Sequence, residues 1–279
     1  MNDSSWTCAV ELTSRFLNKP ARLSHLLERL SAKMDPGSRR RCQFLLFGVV
    51  RNWSFLESSL DAFLRKRPRI GMWAALLVAS YELMANSGKS AQIVDHAVGR
   101  IGKKFSKSEK ALANAVLRKV AQGIAKSKET VPSDCFSMAI QCSHPAWLID
   151  RWVKQFGFED ASCLARWNQE EPDIYFLPLE GAKAAAMGQS TDWDHYRKGT
   201  DTNWSELAEA LQAGSIYIQN PGARLAPNLI VKYFHDGRIL DLCAAPGGKS
   251  FYLDKISSES IREIVCVDLP GPRFERLHT

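Results

Sequence analysis

The sequence is short of nearly every feature that marks a membrane, secreted or metal-built protein. Its longest apolar stretch, residues 70–81, lies between Arg69 and Glu82 and is far below bilayer length. The opening MNDSSWTCAVEL has no basic segment followed by an apolar run, so no secretory signal is expected. Cysteines number seven, odd and irregularly spaced, and no two form a CxxC pair. That argues against a disulfide framework and against a structural zinc site. Six histidines show no HExxH or other paired spacing, so no metal is expected. Internal repeats and long low-complexity tracts are also missing. What remains, 45% hydrophobic and 24% charged over 279 residues, is ordinary for a globular protein of two or three domains. A cytoplasmic monomer is the expectation.

Charge is distributed unevenly. Residues 1–130 carry 23 Lys/Arg against 10 Asp/Glu, a balance of +13, and residues 131–279 carry 14 against 20, a balance of −6. A basic front half can serve as an electrostatic footprint for phosphate backbones. It can equally be a solvated, lysine-rich surface, because basic residues suit helix C-termini. Three clusters concentrate it: Arg39, Arg40 and Arg41; Arg65, Lys66, Arg67 and Arg69 around Pro68; and residues 100–110 with Lys103 and Lys104.

Residues 1–128 read as one helix after another. Leu23, Leu26, Leu27 and Leu30 form a stripe at helical spacing within residues 21–34. Asp35-Pro36 supplies an N-cap and a first-turn proline for a strongly apolar helix through Phe44, Leu45, Phe47 and Val49. Further helices are predicted through Phe55–Leu64, over 71–85 and over 90–101. A capping box of Ser106 and Glu109 opens another that carries Leu112, Val116, Leu117 and Val120. Short connections and the lack of any strand pattern make this an all-α domain.

Beyond a polar linker at 124–134 the texture mixes. An amphipathic helix is expected over 143–157 with Trp147, Leu148, Trp152, Val153 and Phe156 near one face, and a second helix to about Asn168. Strands are expected at 173–180 and 215–219, and helices at 204–213, behind an Asn203/Glu206 cap, and at 224–234. Buried strands at 238–243 and 264–268 flank a glycine turn and a helix. Strand, turn, helix, strand is the grammar of a nucleotide-binding sheet.

The sharpest motif is DLCAAPGGKS, residues 241–250, directly after a strand. Gly247 and Gly248 lack a Cβ, which allows close approach of backbone to a ligand, or simply tight strand–helix packing. Asp268, 20 residues after Gly248 at the next strand end, can accept hydrogen bonds from both hydroxyls of a ribose. A P-loop is excluded, since Cys243 stands where its first glycine belongs, and the GxGxxG fingerprint is missing. A nucleoside cofactor without a pyrophosphate is left, and S-adenosylmethionine fits.

DLCAAPGGKS resembles the cofactor motif of the Sun/Fmu family of bacterial ribosomal RNA cytosine-5 methyltransferases. SHPAWLIDRW (143–152) and SIYIQNPGARLAP (215–227) are similar to two further segments of that family. FLLFGVVRNWSFLESSLDAFL (44–64) and KALANAVLRKV (110–120) resemble its NusB-like RNA-binding domain. The chain departs from the family pattern at Asn220, where aspartate is usual, at Arg224, where small residues are usual, and in LPGPRFERL after Asp268.

The resemblance implies a multidomain α and α/β fold. Its parts would be a NusB-like helical domain at 1–128, a linker and small α/β region at 129–212, and the first part of a Rossmann-like methyltransferase domain at 213–279. It implies that Cys243, Ala244, Ala245, Pro246, Gly247, Gly248 and Lys249 line the cofactor site and that Asp268 holds the ribose. It also implies that Arg39, Arg40, Arg41, Arg65, Lys66, Arg67, Lys103 and Lys104 contact RNA, mainly through phosphates. In such enzymes one cysteine thiolate attacks carbon 6 of cytosine and a second helps release the product. Those cysteines belong to later strands. They are therefore expected beyond Thr279, with no catalytic residue inside the chain, no activity of residues 1–279 alone and only weak cofactor binding.

Cys243 is expected to shape the turn through its backbone rather than act as a nucleophile. Cys8, Cys42, Cys135, Cys142, Cys163 and Cys266 are expected to be buried or half-buried, and His144 to be a structural cap. The rival reading is a non-catalytic RNA-binding protein or antitermination-type factor with a vestigial methyltransferase stub.

Overall fold

A computed structural model describes residues 3–30, 33–127, 130–179, 184, 186–199, 203–234, 236–257 and 261–275. They form a mostly helical molecule with small sheets, grouped into two compact units, residues 1–171 and 172–279. No described helix is long and apolar enough to cross a membrane.

The first unit is built around α5 (Ile70–Ala85), the one helix among the described residues whose middle has no solvent face: Met72 to Leu83 are all buried. A helix apolar all round must be enclosed. Around it lie α1 (Asp3–Asn18), α3 (Pro36–Arg51), α4 (Trp53–Asp61), α6 (Ser90–Lys104) and α7 (Lys107–Ser127). Their stripes supply Trp6, Val10, Leu45, Leu46, Val49, Leu60, Ile101, Leu117 and Val120 to one core. The crossing of α3 and α5 is close: a Cβ on Gly48 would stand 1.9 Å from Cζ of Tyr81. Two predicted caps form. Asp35 accepts the Ser38 N–H at 2.8 Å ahead of Pro36. Ser106 and Glu109 close their capping box, the Glu109 carboxylate accepting the Ser106 N–H at 3.0 Å.

The stripe predicted over 21–34 shrinks to α2 (Leu23–Leu27). Its end tightens into i→i−3 bonds, Arg29 N–H to Leu26 and Leu30 N–H to Leu27, which stop the helix. Residues 31 and 32 lie outside the described residues.

Three further helices, α8 (Cys135–Gln141), α9 (Ala146–Phe156) and α10 (Phe158–Trp167), group with the first unit. Sequence reasoning divides the chain at 128/129 and 212/213; in the structure α8 packs on α4, and the Phe55 N–H donates to Ser143 Oγ at 3.1 Å. The buried anchor of α9 is Ile149, with Trp152 and Val153 beside it. Trp147, expected on the inner face, is 67% exposed. His144 is the structural post expected of it, Nδ1 on the Cys142 carbonyl and Nε2 beside Asn168 Nδ2. Burial lowers its pKa.

The second unit holds a four-stranded antiparallel sheet in the order β2 (Gln189–Ser190), β3 (Arg197–Lys198), β1 (Tyr175–Pro178), β4 (Ile216–Ile218). Alternation sends Phe176 and Leu177 to opposite faces. Phe176 packs with Ile216 and with Leu207 of α11 (Trp204–Gln212), whose start Asn203 caps through the Ser205 N–H. Leu177 packs with Tyr196 and Tyr252. After α12 (Leu225–Tyr233), β5 (Gly237–Asp241) pairs in parallel with β6 (Ile261–Cys266), joined through α13 (Gly248–Ile256), which carries Tyr252. A short α14 (Pro272–Glu275) follows. These two strands were expected to be buried. They are not: Leu240 is 56% exposed and Val267, just past β6, 44%.

Candidate cofactor turn and basic surface

Residues 241–250 leave β5 and enter α13 through a turn held by two aspartates. Asp241 accepts the Cys243 N–H at 3.2 Å with one oxygen and the Ser250 hydroxyl at 2.7 Å with the other, tying the strand end to the helix start. Asp268, just beyond β6, accepts the Ala245 N–H at 2.7 Å and the Leu269 N–H at 2.7 Å. Its carboxylate therefore faces the turn. Backbone bonds from Ala244 N–H to Val267 O and from Val267 N–H to Asp241 O complete the junction.

The two glycines have separate reasons. Gly247, the N-cap of α13, sits at φ +104°, a region that side chains with a Cβ rarely adopt. At Gly248 an added Cβ would lie 2.8 Å from Gln219 Nε2 and 3.1 Å from the Tyr217 hydroxyl, so β4 residues press on this face of the turn. Close packing against β4 thus accounts for Gly248 without a ligand. Sequence reasoning missed Tyr217 and Gln219. The signal was there, because alternation along SIYIQ puts both on one side of the strand.

On the other side of the turn Cys243, Pro246 and Lys249 are exposed, Ala245 and Asp268 are partly exposed, and Ala244 is buried. A nucleoside fits this donor set. Asp268 carries one N–H on each oxygen, and a carboxylate has lone pairs left for two hydroxyls. The start of α13 has no side-chain cap, so its first N–H groups are available to an anionic group.

The basic clusters divide by what they already bind. Arg41 pairs with Glu82, a buried carboxylate of α5 that Arg100 also approaches at 3.9 Å. Arg67 holds Glu57 and Asp61 and lies over the Trp73 ring at 4.8 Å. Lys104 pairs with Glu11, and Arg39 donates to the Leu30 carbonyl. Lys103 is exposed but not without a partner. Arg40, Arg65 and Lys66 are exposed and form no ion pair among the described residues. Of the cysteines expected inside, Cys163 is exposed, lying on the outer side of a short amphipathic helix. No group of three or more His, Cys, Asp or Glu among the described residues is placed to hold a metal ion.

Residues 4–122 match the NusB family. Over 97% of its length the chain is 27% identical to "Ribosomal RNA small subunit methyltransferase B" of Sodalis glossinidius and 25% identical to that of Escherichia coli O139:H28, covering 64% and 65% of those proteins. It is 23% identical over 76% of its length to "Probable ribosomal RNA small subunit methyltransferase B" of Bacillus subtilis, half of which it covers. The chain thus spans less than two thirds of these relatives. The crystal structure of PH0851 shares its fold, with a TM-score of 0.62 at 15% identity over the whole chain and 66% of that protein.

Proposed function

We propose that this chain, which carries a NusB family domain and is related along nearly its whole length to the small-subunit ribosomal RNA methyltransferases B, supplies the RNA-holding and cofactor-holding parts of an S-adenosylmethionine-dependent RNA cytosine-5 methyltransferase. The observation that carries the reading is the Asp268 carboxylate turned into the 241–250 bend, with the strand ends of β5 and β6 side by side beneath it. Cys243 to Lys249 would line the cofactor and Asp268 would hold its ribose. The cofactor, when bound, supplies an activated methyl group. The chain's own residues orient it: Asp241 fixes the helix start through Ser250, and Gly247 turns the backbone so that α13 begins beside the ligand.

Arg40, Arg65 and Lys66 are the cations best placed to take phosphates, because they are not committed to carboxylates among the described residues. Arg41 and Arg67 contribute mainly through the structure they brace, and Lys104 is occupied by an exposed pair with Glu11. Cysteine chemistry on the base is assigned to residues outside this chain.

Two arms test this. Residues 1–279 should retain small-subunit ribosomal RNA on a filter in a salt-dependent way, and ultraviolet crosslinking should attach labelled S-adenosylmethionine to the 243–249 peptide. RNA that is not retained, or label that lands only elsewhere, contradicts the corresponding half. The same residues should leave the RNA unmethylated; methyl incorporation at cytosine carbon 5 would place the nucleophile inside the chain.

A further inference from the structure

The first unit contains a cavity of about 510 Å³ that the cofactor turn and the basic clusters do not account for. It opens between the α3–α4 corner, α5 and α7 on one side and the ends of α8 and α10 on the other. Aromatic and apolar groups line part of it, Phe55, Tyr81 and Met84 among them. Arg51 and Arg166 line it as well, and neither side chain forms an ion pair or hydrogen bond among the described residues. Glu171 is the acid at the same site, close enough to raise the pKa of Tyr81 after burial has done so. Gln169 completes the lining. Its Nε2 donates to the Cys142 carbonyl, while its Oε1 is buried with no partner.

Arg51 and Arg166 share with Arg40 and Arg65 the lack of a carboxylate partner among the described residues, but they stand at a cavity rather than on an open surface. Arg41, Arg67 and Arg69 all hold carboxylates. Two such guanidinium groups beside the half-buried Phe55 ring, with a partnerless amide oxygen on a residue of the same lining, describe a site for a flat ring that carries hydrogen-bond donors and an attached anion. We propose that this cavity takes one unpaired nucleotide of the RNA: the base against Phe55 and Met84 with its polar edge toward Gln169, the flanking phosphates on Arg51 and Arg166.

The volume lies within the range that encloses small ligands. Duplex RNA cannot present a base this way, whereas an unpaired base can be splayed out and stacked on aromatic side chains. The site would give the helical unit a preference for unpaired RNA that phosphate contacts at Arg40, Arg65 and Lys66 do not supply. This inference rests on the RNA-binding reading above.

The test uses the full chain with a single-stranded RNA carrying 5-bromouridine, a duplex of the same sequence, and two variants. Arg51→Glu/Arg166→Glu reverses both uncommitted charges. Val131→Trp fills the mouth from a position already 68% exposed, so its folding is little affected. Photocrosslinks should map to the peptides bearing Phe55 or Met84. The double variant should bind single-stranded RNA about tenfold more weakly, with duplex binding changed less than about twofold. Val131→Trp should remove the crosslink at unchanged Tm. Crosslinks confined to the basic clusters, or equal losses for single-stranded and duplex RNA, would overturn the cavity assignment while leaving RNA binding intact. Loss of a co-purifying protein from the variants with RNA affinity unchanged would overturn it in favour of a protein occupant. A wild-type chain that binds neither RNA would remove the RNA reading itself.

Discussion

Asp268 and Glu109 show how much a single carboxylate can be asked to do. Asp268 holds a turn by accepting two backbone N–H groups. Glu109 caps a helix and binds Arg69 through both oxygens. The capping role of Glu109 was legible, because Ser106 and Glu109 stand at capping-box spacing. The ion pair was not, since Arg69 is 40 residues away. First the Arg69 guanidinium and then the Ser106 N–H hold the Glu109 carboxyl down to about 2, from an ordinary 4.5. A folded pKa below the unfolded one stabilises at pH above about 4.5, and that contribution fades as pH falls toward 2. Carboxyl-detected NMR should place the Glu109 midpoint near 2, and Arg69→Ala should move it up; a midpoint near 4.5 in the native chain would contradict the pairing. At Gly48 a methyl group would meet the Tyr81 ring, so Gly48→Ala should cost about 1–3 kcal/mol in urea unfolding despite its better helix propensity. An unchanged midpoint would show that Tyr81 moves aside.

At the scale of elements, apolar periodicity and caps identified most helices of the first unit, and α5 stood out as an unbroken apolar run. Its buried Glu82 was the part no pattern could interpret. Only the fold brings Arg41 and Arg100 to it, and it converts one residue of a basic cluster into an internal brace. Glu82→Ala removes the buried carboxylate that Arg41 holds and Arg100 approaches, and should cost about 1.5–3 kcal/mol. Lys104→Ala breaks the pair with Glu11, both about half exposed, and should stay within about 1 kcal/mol. Equal effects in urea unfolding would contradict this division of the cluster.

Helix α1 escaped sequence reasoning although Trp6, Ala9, Val10 and Thr13 recur at helical spacing and are all buried. Polar residues between them masked the stripe. The strands β5 and β6 were found, but their burial was overstated. A continuous apolar run cannot say whether both faces are covered.

For the whole molecule, the division of charge pointed to a phosphate-binding front, and the DLCAAPGGKS motif placed the turn to within its own ten residues. The cavity at Arg51 and Arg166 was invisible in sequence because six helices and the segments between them supply its lining. The cores are unequal: residues 1–171 share one large cluster and a satellite, whereas residues 172–279 have two small ones. The second unit should therefore lose amide protection at lower urea than α5 does, in hydrogen exchange followed by mass spectrometry. A single coincident transition would contradict that.

Titration of isotopically labelled residues 1–279 with S-adenosylmethionine, followed through backbone amide shifts, tests the cofactor site directly. Shifts are predicted at Cys243, Ala244, Ala245, Gly247, Gly248, Lys249 and Asp268, still growing at ligand concentrations far above that of the protein, and lost in Asp268→Asn. Unmoved amides in that bend, or shifts confined to the helical unit, would contradict the assignment of a methyl-donor site.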